Sequence, residues 1–214
     1  GQPEGGWLLM GWRLNGVFHE KREVNYTFVG DLTAEAVFGT EISLRAIPPS
    51  SGQIEASVEK PLYEYGETVQ VQGKANDGFY MATISGKGFS STISPASYVV
   101  LAPNASLAGL FLKLPTGKVA LNALVKGGGS VSVLENASSN NSYKKNTEII
   151  LKADPGEGSI FTGWSGDVES DQATINLKMD SSKTLTANFS AGYVIEISAE
   201  NGRVTKEPNL DTYS

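Results

Sequence analysis

His19 is the only histidine in the chain, and there is no cysteine, so it is the one imidazole that could serve as a general base, and any other site would have to be built between units from Ser, Asp, Glu and Lys. His19 stands in Phe18-His19-Glu20-Lys21-Arg22, between two strand-like runs, which reads as a charged and solvated turn. No nucleophile elbow accompanies the many serines. Lys126-Gly127-Gly128-Gly129-Ser130 is rich enough in glycine to be tested as a phosphate cradle. It lacks the GK[ST] ending and the following helix of a P-loop, and reads as a hairpin turn. Asp167, Glu169 and Asp171 alternate as oxygen ligands for calcium could, without the spacing or turn glycine of an EF-hand loop, and read as a solvated acidic turn. The expectation is therefore no enzyme, no cofactor and no metal site.

Aromatic side chains are the remaining binding candidates, since they stack on sugars and anchor protein interfaces. Tyr63 and Tyr65 share one strand face if the alternation holds. Phe79 and Tyr80 are neighbours at a turn, and two adjacent side chains cannot both point inward from a strand. One of that pair is the expected ligand contact.

The elements that would position these residues are written in an internal repeat. One ending recurs three times, as Leu32-Thr-Ala-Glu-Ala-Val-Phe38, Ser106-Leu-Ala-Gly-Leu-Phe111 and Thr184-Leu-Thr-Ala-Asn-Phe189, with closing phenylalanines 73 and 78 residues apart. Tyr63-Glu-Tyr-Gly66-Glu-Thr-Val69-Gln-Val71 matches Tyr143-Lys-Lys-Asn146-Thr-Glu-Ile149-Ile-Leu151, the Gly or Asn marking a turn with positive φ that launches a strand. Gly52-Gln-Ile54, Gly129-Ser-Val131 and Gly202-Arg-Val204 give the copies a common hairpin opening.

Apolar residues alternate with polar ones, as in Ile149, Leu151 and Ala153 or Leu185, Ala187 and Phe189, which is the period of half-buried strands. Six strands are expected in the third copy, at 118–125, 130–134, 148–153, 159–165, 173–179 and 183–189. The fold class is all-β: tandem modules of about 75 residues, β-grasp-like or small β-sandwiches, strung in an elongated array. Residues 1–39 read as the second half of a repeat, 40–115 as a complete degenerate repeat, 116–190 as a complete repeat and 191–214 as the start of another.

With 17 Lys and Arg against 23 Asp and Glu, the net charge is -6, and no basic footprint for nucleic acid is present. No apolar run reaches the ~20 residues of a membrane-spanning helix.

Phe161-Thr162-Gly163-Trp164-Ser165-Gly166-Asp167, preceded by the Tyr143 pattern and followed by Met179 through Phe189, resembles the divergent internalin-B B-repeat family of bacterial surface proteins. Gly6-Trp7 through Phe38 is similar to the second half of that repeat, and 194–213 to its start. The copy between them is degenerate, with Ile84-Ser85-Gly86 in place of Trp-Ser-Gly. The resemblance implies a non-catalytic stalk or spacer, or an adhesive segment, at the cell surface or outside the cell. It implies neighbouring repeats as partners, with a host or cell-wall glycan or protein as the ligand of the adhesive alternative.

The comparison among copies bears on Trp164. Trp12, Ile84 and Trp164 occupy one position, as do Phe38, Phe111 and Phe189. Isoleucine can replace an indole as a core filler but not as a sugar platform. All six are expected to be structural anchors, so that Trp164→Ala unfolds its own module and leaves the preceding one folded.

Overall fold

The computed structural model describes residues 5–27 and 29–193. The expected start of a further repeat, with Gly202-Arg-Val204, lies outside the described residues. The chain is nearly all β; among the described residues the one helical element is a 3-10 turn at Pro49–Ser51.

The strands are β1 (Leu8–Leu14), β2 (Val17–His19), β3 (Ala34–Thr40), β4 (Ile42–Ile47), β5 (Gly52–Ala56), β6 (Tyr63–Glu64), β7 (Thr68–Ala75), β8 (Phe79–Gly86) and β9 (Phe89–Ser91). They continue as β10 (Ala96–Val99), β11 (Ala105–Lys113), β12 (Lys118–Lys126), β13 (Gly129–Glu135), β14 (Ser142–Lys144), β15 (Thr147–Pro155), β16 (Ser159–Gly166), β17 (Thr174–Met179) and β18 (Lys183–Ala191).

Two sets of strands follow one plan. In the third module the sheets run β14-β12-β18-β16 and β13-β15-β17; in the second they run β4-β11-β8-β9 and β10-β7-β5. The first and last long strands are parallel neighbours in both, β12 beside β18 and β4 beside β11, while the other pairings are antiparallel. Each pair of sheets encloses one core, built in the third module on Leu121, Ile149, Leu151, Trp164, Leu185 and Phe189 and in the second on Val71, Met81, Ile84, Leu107 and Phe111. The alternation along β17, buried at Ile175, Leu177 and Met179 and exposed between them, is what a strand with one wet face requires. With no helix for a sheet to grasp among the described residues, the arrangement is a small sandwich.

The turn ahead of β7 and β15 is the same in both modules. Gly66 and Asn146 have φ of +81° and +69°, and their N–H groups donate to Val100 and Met179 carbonyls, each at 2.8 Å.

Four local expectations change. A seventh strand, β14, is added to the six, because Tyr143 pairs with Val119 before the chain turns. The glycine stretch after Lys126 is a corner between sheets: β12 and β13 pair with different partners, and the ring of Phe189 packs where a side chain at Gly129 would stand. The shared opening is thus a corner, not a hairpin. Tyr63 is buried while Tyr65 is exposed, since β6 ends at Glu64. His19 ends strand β2 opposite Trp12 and is half-buried, because the Asn15-Gly16 turn, with φ of 47° and 83°, folds 17–19 back on β1.

The joint between the first segment and the second module is a continuous one. β3 passes into β4 through Glu41 alone, and β6 of the second module joins the sheet β2-β1-β3. Arg13 bridges it, its guanidinium 2.9 Å from Glu64 and 3.1 Å from Glu35. Bonds to those two carboxylates raise its pKa above the usual value.

Candidate functional site

The conspicuous motif of the sequence, Phe161 through Asp167, occupies β16 and the turn after it. Phe161 stands opposite Phe189 and Trp164 opposite Ala187, so three steps on β16 answer two on β18, with the irregularity between Phe161 and Gly163. This is a β-bulge at Thr162. In a regular strand, residues three apart face opposite sides of the sheet. The extra residue returns Trp164 to the side of Phe161, and the rings meet edge to face at 5.9 Å, with Phe189 a further 5.7 Å from Phe161.

The same bulge occurs in all three copies. Leu9 stands opposite Phe38 with Met10 bulged, and Met81 opposite Phe111 with Ala82 bulged. Trp12 pairs with Ala36, Ile84 with Gly109 and Trp164 with Ala187, each two residues before the closing phenylalanine. Ile84 is fully buried, Phe111, Trp164 and Phe189 are buried, and Trp12 and Phe38 are half-buried. The two indole N–H groups donate to a carbonyl of the following loop, Trp12 to Arg22 at 3.0 Å and Trp164 to Gln172 at 3.1 Å. For Trp164, buried with its one polar atom bonded, this leaves no edge for a ligand, whereas Trp12 keeps part of its ring exposed.

Gly166 has φ of +107°, and a Cβ there would stand 2.5 Å from the Thr184 carbonyl oxygen. The turn it makes lets Asp167 accept the Thr184 N–H at 2.7 Å and return its own N–H to the Thr184 carbonyl at 2.9 Å. Asp167 is therefore a backbone clasp. Asp171 accepts from Gln172, and no group of three metal-ligating side chains converges among the described residues.

Phe79 opens β8 and packs, half-buried, against the second module's core. Tyr80 points to the outer side of the sheet but is buried there, against Ala82 and the third module's Ala120. Alternation could not reveal this, because the cover comes from another module.

What the sequence did not disclose is a set of buried amides at that seam: Gln72, Asn122 and Asn141. Their one signal was a polar residue inside an apolar run, Asn122 within Val119-Ala-Leu-Asn-Ala-Leu-Val125. No helix among the described residues is long and apolar enough to cross a membrane.

Residues 119–192, which run from β12 to just past β18, match the family model of the divergent InlB B-repeat domain. No curated protein and no solved structure matches the chain.

Proposed function

We propose, from the likeness of residues 119–192 to the divergent InlB B-repeat domain, that this is a non-catalytic repeat region of a bacterial cell-surface or secreted protein, spacing or connecting other domains. The observation that carries the reading is the repeated bulge. It holds the most distinctive side chains of every copy, Trp12, Ile84 and Trp164, at one ladder position, which in the second and third modules lies in the core. Residues held alike for packing make modules that can be strung together. The proposed division is 1–39, 40–115, 116–190 and 191–214. Small-angle scattering of the chain tests the spacer: an elongated particle supports it, and a compact one overturns it.

An adhesin is the second reading, favoured by a difference between modules. On the outer side of β4 and β11 the second module exposes Ile47, Leu110 and Leu112, where the third carries Lys126, Asn188 and Ser190 at the equivalent ladder positions. Such an unshared apolar surface is where a glycan or protein ligand would be recognised. Binding to a glycan or host-protein array that Leu110→Asn with Leu112→Ser abolishes supports this reading; binding that survives the pair places the contact elsewhere.

A further inference from the structure

The outer side of β12 is a buried face. Val119, Leu121, Ala123 and Val125 fill the third module's core, so Ala120, Asn122 and Leu124 point the other way. They are nevertheless 2%, 6% and 7% exposed, because β12 lies across β7 and β8 of the second module.

Three side-chain amides close this seam on backbone groups of the opposite module. Gln72 accepts the Val125 N–H at 2.7 Å and donates to the Val125 carbonyl at 3.0 Å. Asn122 does the same for Ala75, accepting its N–H at 3.0 Å and donating to its carbonyl at 3.2 Å. Asn141 accepts the Ser94 N–H at 3.1 Å and donates to the carbonyls of Met81 and Thr92 at 3.0 and 3.1 Å. A planar amide offers the donor and acceptor of a peptide group, so Gln72 and Asn122 each act as one residue of an added strand, while Asn141 ties together three backbone groups of β8 and the segment after β9. A seam closed with other residues at these places would leave the same backbone groups buried without partners, which folded proteins avoid, so the amides select which modules can pack here.

The matching faces occur once in each module. Gln72 stands opposite Glu55 and Ala75 opposite Gly52; at the same ladder positions the third module has Lys152, opposite Ser132, and Pro155, opposite Gly129. Lysine has no acceptor, and proline has no N–H for an Asn122-like side chain. Conversely, the second module's equivalents of Asn122 and Leu124 are Ser43 and Arg45, both exposed.

We propose that Gln72, Asn122 and Asn141 form a recognition surface that makes these two modules a dedicated pair. The joint is head to tail, and such a joint would propagate from repeat to repeat if each carried both faces. Here the second module receives and the third enters, so the pair specifies its own order and unfolds as one body. This holds for a spacer and for an adhesin alike, and it replaces independent unfolding of the third module.

The test is deuterium uptake by the whole chain along a urea series, read by mass spectrometry and at single amides by NMR. In the unaltered chain, segments 68–86 and 147–166 lose protection at one shared midpoint, with the Ala75, Ser94 and Val125 amides protected to that point. Installing the third module's residues as Gln72→Lys with Ala75→Pro splits the midpoints and lowers protection of Val125 about tenfold or more. Asn122→Ser, taken from the second module, is the gentler variant and decides the matter if the double variant does not fold. It is expected to separate the midpoints and free the Ala75 amide. Separate midpoints in the unaltered chain, or a shared midpoint and an unchanged Ala75 amide in Asn122→Ser, overturn the proposal.

Discussion

Ile84 holds in the second module the ladder position that Trp164 holds in the third, each on the strand after a one-residue bulge and each opposite the residue two before its closing phenylalanine. The exchange of an aliphatic side chain for an indole predicts a graded response. Trp164→Ala should cost ~3 to 5 kcal/mol and Ile84→Ala ~2 to 5. Trp164→Ile should cost less than Trp164→Ala while still losing the bond to the Gln172 carbonyl. Urea unfolding followed by circular dichroism ranks the three; equal losses for the two Trp164 variants would mean the pocket does not accept the smaller filler.

Gly166 and Gly158 both have positive φ, +107° and +68°, yet only Gly166 has backbone in the way of a Cβ. Alanine at Gly158 should cost about 1 kcal/mol, from the left-handed conformation alone. Gly166→Ala adds a clash with the Thr184 carbonyl and should cost more, with the Asp167 clasp loosened in the same step. Thermal melts of the two variants compare them directly, and a Gly158 loss equal to or above that of Gly166 would refute the ordering.

Burial pushes the Tyr143 phenol above its ordinary value of 10.0, against a smaller opposing effect of the Ser138 N–H it accepts at 3.4 Å. The folded state therefore holds this proton more tightly than the unfolded chain. The resulting stabilisation is complete below pH 10 and is lost as pH rises through the folded value. Tyr63 and Tyr98 shift the same way by burial. Tyr143→Phe should flatten the fall in stability above pH 10 without removing it. An unchanged alkaline slope in the variant would show that Tyr143 ionises alike in both states.

Thr162 is the extra residue of the β16 bulge, so deleting it leaves two steps opposite two. The module should still fold, with Phe161 and Trp164 on one face. Deleting Asn176 instead puts Ile175 and Leu177 on opposite faces of β17, where no bulge absorbs the change. Circular dichroism and tryptophan emission should show a folded chain for the first deletion and, for the second, loss of the third module together with the second module paired to it.

The sheet alternation in Ile149, Leu151 and Leu185 was legible because each of these side chains answers to its own strand's two faces. The Phe161 to Trp164 spacing was not legible as a bulge, since a period-2 reading places the rings on opposite sides; only the facing strand shows that three residues match two. The glycines after Lys126 marked a change of direction correctly but could not say whether the chain returns along its own sheet or crosses to another. Tyr80 and Asn122 were opaque for one shared reason. Their environment is made by another module, and the local pattern records only that one is aromatic on an outer face and the other polar among apolar neighbours.

The parallel neighbours β12 and β18 are the first and last long strands of their module, in register from Leu121 with Lys183 to Lys126 with Asn188. A pull on the chain draws the start of β12 and the end of β18 in opposite directions along their common axis. That load slides one strand past the other, so the interstrand bonds share the tension and must fail together, whereas a hairpin pulled from its open end is unzipped one pair at a time. β4 and β11 place the second module under the same geometry. Each module is thus loaded in shear from its own two ends, a strand arrangement suited to holding its length under traction.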